Sequence, residues 1–199
     1  MQKAIDIIKN FIKGKKSKMQ YLIFLRGINI SGKNKISMQI LKNLLEDNDF
    51  KNVSTYLNSG NVILKCDEFD KNTLSKKIFT LVKDKFKIDI PIFVTTKDEL
   101  EDVLNNCPTW WGIENKNVYH NLIFIMPPTT SEEIYSTIGE PSENIDKIEE
   151  YNNYIFWSFD LKNYRKSNWW IKTASTSVKD KITIRTARTV KKVLSLCKK

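Results

Sequence analysis

The stretch Tyr21-Leu-Ile-Phe-Leu-Arg-Gly-Ile-Asn-Ile-Ser-Gly-Lys-Asn-Lys-Ile-Ser37 decides how this chain is read. An apolar, strand-like run ends in Arg26. A polar loop follows, and a helical pattern begins at Ser37. Strand, glycine-containing loop and helix is an arrangement that holds anions on backbone N–H groups. Gly27 to Asn34 reads G-x-x-x-x-G-K-N, close to a P-loop, but Asn34 stands where a hydroxyl would bind Mg²⁺. The downstream element order is also not that of a parallel α/β sheet. The loop therefore predicts a generic anion site built on Arg26, Gly27, Asn29, Gly32, Lys33 and Asn34 rather than an NTPase. A glycine-rich turn with a solvated rim accounts for the same residues.

Outward from this loop the elements alternate. Residues 20–26 read as a strand and 37–47 as a helix with Ile40, Leu41, Leu44 and Leu45 on one face. Val53 to Leu57 and Asn61 to Leu64 form a hairpin around Asn58-Ser-Gly-Asn61. Residues 71–86 are a second helix, and Pro91 opens a strand that runs to Thr95. A helix from Lys97 to Asn105 follows. The second half repeats the order: a strand at Tyr119–Met126, a helix at 131–138, a hairpin of Asn144–Glu149 with Tyr154–Phe159, a helix at 161–171, a strand at Lys181–Ile184 and a helix at Thr189–Cys197. The fold class is α+β, two tandem ferredoxin-like (βαββαβ) subdomains with a C-terminal helix. The expected boundaries are 19–107 and 108–199, preceded by a basic amphipathic extension at 1–18.

With 41% hydrophobic and 28% charged residues, the chain is expected to be soluble and globular. No apolar run approaches the ~20 residues of a membrane span, and no secretory signal is read at the N-terminus. Cys66, Cys107 and Cys197 are odd in number and widely spaced, which argues against a disulfide framework or zinc site and fits a reducing cytoplasm. His120 is the single histidine, at the start of an apolar strand, and reads as structural. No metal site and no cofactor are expected.

The net charge of +10 is uneven. Residues 1–18 carry +5, the body to residue 159 carries −5, and residues 160–199 carry +10. Such asymmetry points to an anionic partner for the basic end; the alternative is a basic face that solvates the protein or docks on the acidic body. For residues 1–18, packing on the domain or a gene-model extension is favoured over contact with a membrane surface.

Leu25-Arg-Gly-Ile-Asn-Ile-Ser-Gly-Lys-Asn-Lys35 and Tyr56-Leu-Asn-Ser-Gly-Asn-Val-Ile63 resemble the signatures of the bacterial family called domain of unknown function 1697. Asn168-Trp-Trp-Ile-Lys-Thr-Ala-Ser-Thr176, with Ile182-Thr-Ile-Arg-Thr-Ala-Arg-Thr-Val190, is similar to its C-terminal block, so the resemblance runs from Met19 to Leu196. It implies a cytoplasmic α+β fold with ferredoxin-like halves and no established activity. The family's usual Arg-Asn pair in the last block is here Arg185-Thr186.

Two groups of residues are candidates for binding. Arg26, Asn29, Ser59 and Asn61 gather into one polar corner if the first and third strands are central neighbours. The C-terminal block offers Lys172, Thr173, Arg185 and Arg188, a phosphate-contacting set, with Tyr164, Trp169 and Trp170 interleaved among basic residues. A structural account has one tryptophan in the core and the other on the sheet edge. The expected function is binding of a phosphate-bearing ligand or nucleic acid. The alternatives are a small-molecule enzyme acting on an anionic substrate at the Gly27–Asn34 loop, which lacks a visible acid–base pair, and an interaction protein without a ligand.

Overall fold

Strand β1 (Met19–Leu25) is apolar without alternation because both of its faces are buried. Tyr21, Ile23 and Leu25 point into one core; Leu22 and Phe24 point into another. The structure, a computed structural model, describes residues 18–67, 70–175 and 177–197. The amphipathic helix expected within 1–18 lies outside them, Lys18 apart, as does Thr176.

After β1 come α1 (Met38–Asp47), β2 (Lys51–Tyr56), β3 (Asn61–Cys66), α2 (Lys71–Phe86), β4 (Ile92–Thr96) and α3 (Lys97–Asn105). The second half follows with β5 (Val118–Ile125), α4 (Ser131–Ile138), β6 (Asp146–Tyr151), β7 (Tyr154–Asp160), α5 (Asn168–Ser175), β8 (Ile182–Thr186) and α6 (Ala187–Leu196). The protein is thus mixed α+β, with two four-stranded sheets ordered β2-β3-β1-β4 and β6-β7-β5-β8. Every pairing is antiparallel.

The layering follows from side-chain direction. Helices α1 and α2 bury Leu41, Leu45, Leu74, Ile78 and Val82 against one face of the first sheet. On its other face, Leu22, Phe24, Ile63 and Phe93 meet Leu122, Phe124 and Phe156 of the second sheet, together with α3 and α6. The Phe24 and Phe124 ring centroids are 4.6 Å apart. The far face of the second sheet packs Ile123, Ile125 and Trp157 against Ile134, Ile138 and Trp169. One core therefore joins the two halves.

Helix ends follow local chemistry. The Ser37 hydroxyl accepts from the Ile40 amide at 3.4 Å, and α3 and α4 each begin with a reciprocal capping box, Thr96–Glu99 and Thr130–Glu133. The buried stripe of α1 is Met38, Leu41 and Leu45; Ile40 is 45% exposed, because it lies off the i, i+3, i+7 row. The helix expected over 161–171 is split. A single turn at Tyr164–Lys166 is followed by extended Ser167, and α5 starts afresh. The buried Ser167 hydroxyl both donates to Asp146 Oδ1 (2.8 Å) and accepts from the Trp170 amide (2.9 Å), so the break is a cap. Likewise Thr186 caps α6 through the Thr189 amide at 3.2 Å and starts it two residues earlier than periodicity indicates.

Candidate electropositive binding site

The alternation of β1 places Phe24 on the shared-core face, and its cross-strand partner Asn61 lies on the same face. In the second sheet Arg185 pairs with Leu122, which also faces the shared core. Asn61 and Arg185 therefore meet between the sheets. Arg185 Nε donates to Asn61 Oδ1 at 2.6 Å, Nη1 to Thr183 Oγ1 and the Ile184 carbonyl at 2.8 Å each, and Nη2 to the Leu25 and Ser59 carbonyls at 2.7 and 2.9 Å. A guanidinium has five N–H donors, and all five are used, on neutral acceptors. The Asn61 amide is spent too, donating to the Tyr56 carbonyl (2.9 Å) and Ser59 Oγ (3.0 Å). Burial first, and then the neighbouring Arg26 charge, lower Arg185 to about 10, so it stays cationic at neutral pH. This cluster stitches the two sheets together.

Arg26 differs. It is half-buried, and Nη2 makes one long bond to the Thr173 carbonyl, 3.4 Å. No carboxylate lies within ion-pair distance of Arg26 or Arg185 among the described residues. Burial holds Arg26 below its usual value, partly offset by the more distant Asp180. Arg26 forms part of the wall of a cavity of about 450 Å³ at edge strand β8, with Asn121, Trp157 and Ile184 from the second sheet. The other wall is Arg165, Trp170, Ile171 and Thr173. Asn121 is 4% exposed, and its side-chain amide bonds to no protein group among the described residues. Trp157 is held in place by Nε1 donating to Asp146 Oδ1 at 2.9 Å. The cavity thus combines two arginines, an amide that bonds to no protein group among the described residues, and two indoles.

The remaining expected site residues lie elsewhere or are already engaged. Asn29 donates to the Ile36 and Asn58 carbonyls (3.0 and 2.8 Å) and accepts from the Ile36 amide (2.9 Å), bracing its loop. Asn34 closes the same loop on the Gly27 carbonyl at 2.9 Å. Gly27, Gly32 and Lys33 are exposed there. Lys172 donates to the Ile138 carbonyl at 2.7 Å, a cation on the C-terminal end of α4. Thr173 Oγ1 donates to the Trp170 carbonyl at 3.3 Å, and Arg188 is exposed on α6. So Arg26 joins Thr173, and Ser59 joins Asn61 and Arg185, whereas Lys33 and Arg188 are exposed on a loop and a helix and Lys172 is bonded to α4.

Asn121 escaped the sequence reading. Its signal was a lone amide directly ahead of the apolar run Leu122–Ile125, in a strand where an unpaired polar group is costly. A second cavity, about 680 Å³, opens between the halves beside Lys71, Glu99, Asp102 and Tyr154. Several polar groups at its rim are paired. Lys71 donates to Glu99, Thr95 to Glu99 (3.0 Å), and Tyr151 to Asp102 (3.0 Å). Burial pushes Glu99 up, but Lys71, the Thr96 amide and Thr95 outweigh it and hold the carboxyl low.

Two four-stranded antiparallel sheets sharing a core define the class of fold, mixed α+β. The chain belongs to the family described as "Protein of unknown function (DUF1697)", whose model matches residues 19–156. The match includes the Arg26 loop, Asn61 and Asn121 and ends before Trp157, so it is shorter than the resemblance read from the sequence. The fold is similar to the solved structure of a conserved bacterial protein from Streptococcus pneumoniae: 24% identity, a TM-score of 0.79, 90% of this chain and 99% of that chain covered. No curated protein matches. Among the described residues no helix is long and apolar enough to cross a membrane.

Proposed function

We propose that the protein binds a phosphate-bearing ligand in the Arg26 cavity. The observation that carries this reading is a pair of neighbouring arginines without a carboxylate partner among the described residues, at a cavity lined by Asn121, whose side-chain amide bonds to no protein group there. Arg185 uses all its donors within the protein, but its charge still adds to the field that Arg26 presents to an anion. Arg26 supplies free donors, Asn121 can both donate and accept, and Trp170 offers an aromatic wall. Nothing in this arrangement supplies an acid–base pair, so binding is favoured over catalysis. The reading also takes each half as a ferredoxin-like unit, divided near residues 107 and 108; the βαββαβ order and the central β1–β3 and β5–β7 pairs support it. Three free cysteines suit a cytoplasmic setting.

The test is calorimetric titration with inorganic phosphate and adenosine monophosphate. Arg26→Gln removes charge-assisted bonds and is expected to weaken binding by about 10- to 150-fold. Its thermal stability should be unchanged or raised, because a partly desolvated cation beside Arg185 is removed. Absence of anion binding, or equal affinity in the variant, refutes the reading.

A further inference from the structure

An aromatic row runs from the surface to the rim of the Arg26 cavity. Tyr119 lies 5.5 Å from Phe159, Phe159 lies 5.2 Å from Trp170, and Trp170 lies 4.9 Å from Tyr164, centroid to centroid. Phe159 is buried at 2% exposure, whereas Tyr119 and Trp170 are each 41% exposed. The buried ring supports two exposed ones. Tyr119, Asn121 and Phe159 share one face of the second sheet, because β5 alternates and Tyr119 pairs with Phe159. The row and the cavity are therefore one continuous surface.

Charge follows the row. Arg165 stacks on Tyr164, 5.7 Å from the ring centroid, and Nε donates to its hydroxyl at 3.2 Å. Lys162 and Lys166 flank it, both exposed, and the Leu161 amide donates to the Asn117 carbonyl (2.8 Å), which brings Lys116 alongside. Asp160, the acidic group nearest in sequence, has Oδ1 occupied by the Lys162 and Asn163 amides at 2.8 and 2.9 Å.

We infer that the ligand is single-stranded nucleic acid, with one nucleotide seated in the Arg26 cavity and the adjoining bases stacked on Trp170 and Tyr119. This rests on the phosphate-binding reading above and deepens it. Exposed aromatic faces interleaved with Lys and Arg bind unpaired bases and their phosphates together. A duplex hides its base faces, and pockets of 300–1,000 Å³ hold a drug-sized group, so the 450 Å³ cavity has room for one nucleotide but not for a helix. The Asn121 amide, which lines the cavity, can pair with a base edge, both donating and accepting.

The experiment is fluorescence anisotropy of the full chain with a labelled 12-mer of ribouridine, the same length of oligoadenylate, a 12-bp duplex and adenosine monophosphate, across a salt series. The single strands are expected to bind more tightly than the mononucleotide and the duplex, and to weaken steeply with salt as counterions are released. Trp170→Ala and Tyr119→Ala should each weaken the single strands by about 5- to 150-fold. Both side chains are exposed, so the fold should survive; an unchanged melting temperature verifies it. Lys42→Gln, on the outer face of α1, controls for bulk charge and should change little. Oligomers that bind no better than adenosine monophosphate, or indifference to Trp170→Ala, overturn the inference. If the mononucleotide still binds in an Arg26-dependent manner, phosphate binding stands without it; if nothing binds at low salt, both fall.

Discussion

Replacing Arg185 with methionine should separate the two sheets energetically. The guanidinium makes five hydrogen bonds, three of them to Leu25, Ser59 and Asn61 across the sheet–sheet seam. Bonds from a charged donor contribute about 1.5–3 kcal/mol each before other terms are counted. Against them stands the burial of a cation, which lowers Arg185 from its ordinary value to about 10, a burden of roughly 3 kcal/mol. Arg185→Met removes both the bonds and that burden, but leaves buried acceptors without donors, each worth about 1–3 kcal/mol. Relaxation and water entry recover part of this. The expected net loss is about 3–5 kcal/mol, the range for breaking a buried charged network on one side. Equilibrium urea unfolding reads it directly. With a slope of roughly 2 kcal/mol/M the midpoint falls by about 1.5 M or more. Arg185→Lys keeps the charge but offers three donors on a flexible stem, and should lose about 2–3 kcal/mol. A methionine variant within 1 kcal/mol of the parent, or a lysine variant equal to it, would refute a structural role for this cluster.

Three further outcomes follow from the packing. Neither ring nitrogen of His120 makes a hydrogen bond of good geometry, and burial, then Lys191, outweigh a weak contact with the Ile113 backbone and hold its pKa below 6.5. The folded state therefore favours the neutral ring. Stability should be full above pH 6.5 and fall as pH drops toward the lower folded value, and a His120→Gln variant should show a flatter pH–melting curve. Burial pushes Tyr154 up to about 12, opposed in part by its 2.9 Å bond to Thr95. Its contribution is present below pH 10 and lost as pH rises toward 12, so Tyr154→Phe should lose about 0.5–1.5 kcal/mol at neutral pH yet decline less on alkaline titration. At Gly60, φ is +77° and an added Cβ would stand 2.7 Å from Leu25 Cβ and 2.9 Å from Ile28 Cδ1. Gly60→Ala is expected to cost about 1–3 kcal/mol. Gly27→Ala, with φ +68° and nothing within 4 Å, should cost less in the same urea assay, and the reverse order would contradict the packing argument.

Much of this molecule is written locally. Ser37, Thr96, Thr130 and Thr186 mark helix starts by hydroxyls that meet amides two or three residues on, and such signals need no tertiary context. The apolar runs of β1 and β5 announced strands buried on both faces once the helices were in place. The helix predicted through 161–171 was broken by something local periodicity does not carry, the partnership of Ser167 with Asp146, 21 residues away.

The sequence by itself determined the order of elements, the basic C-terminal end and the prominence of Arg26, Asn61 and Arg185, because periodicity, charge and turn chemistry act over a few neighbouring residues. Only the tertiary structure decided what those residues do. Arg185 and Asn61 are 124 positions apart, yet the two sheets place them in contact, and that contact exhausts the donors of Arg185. The same packing leaves Arg26 with one long bond and turns Asn121 into a cavity wall. Whether a polar side chain is bound within the protein or available to a ligand depends on which strands become neighbours, and that is set by burial of apolar faces from distant parts of the chain.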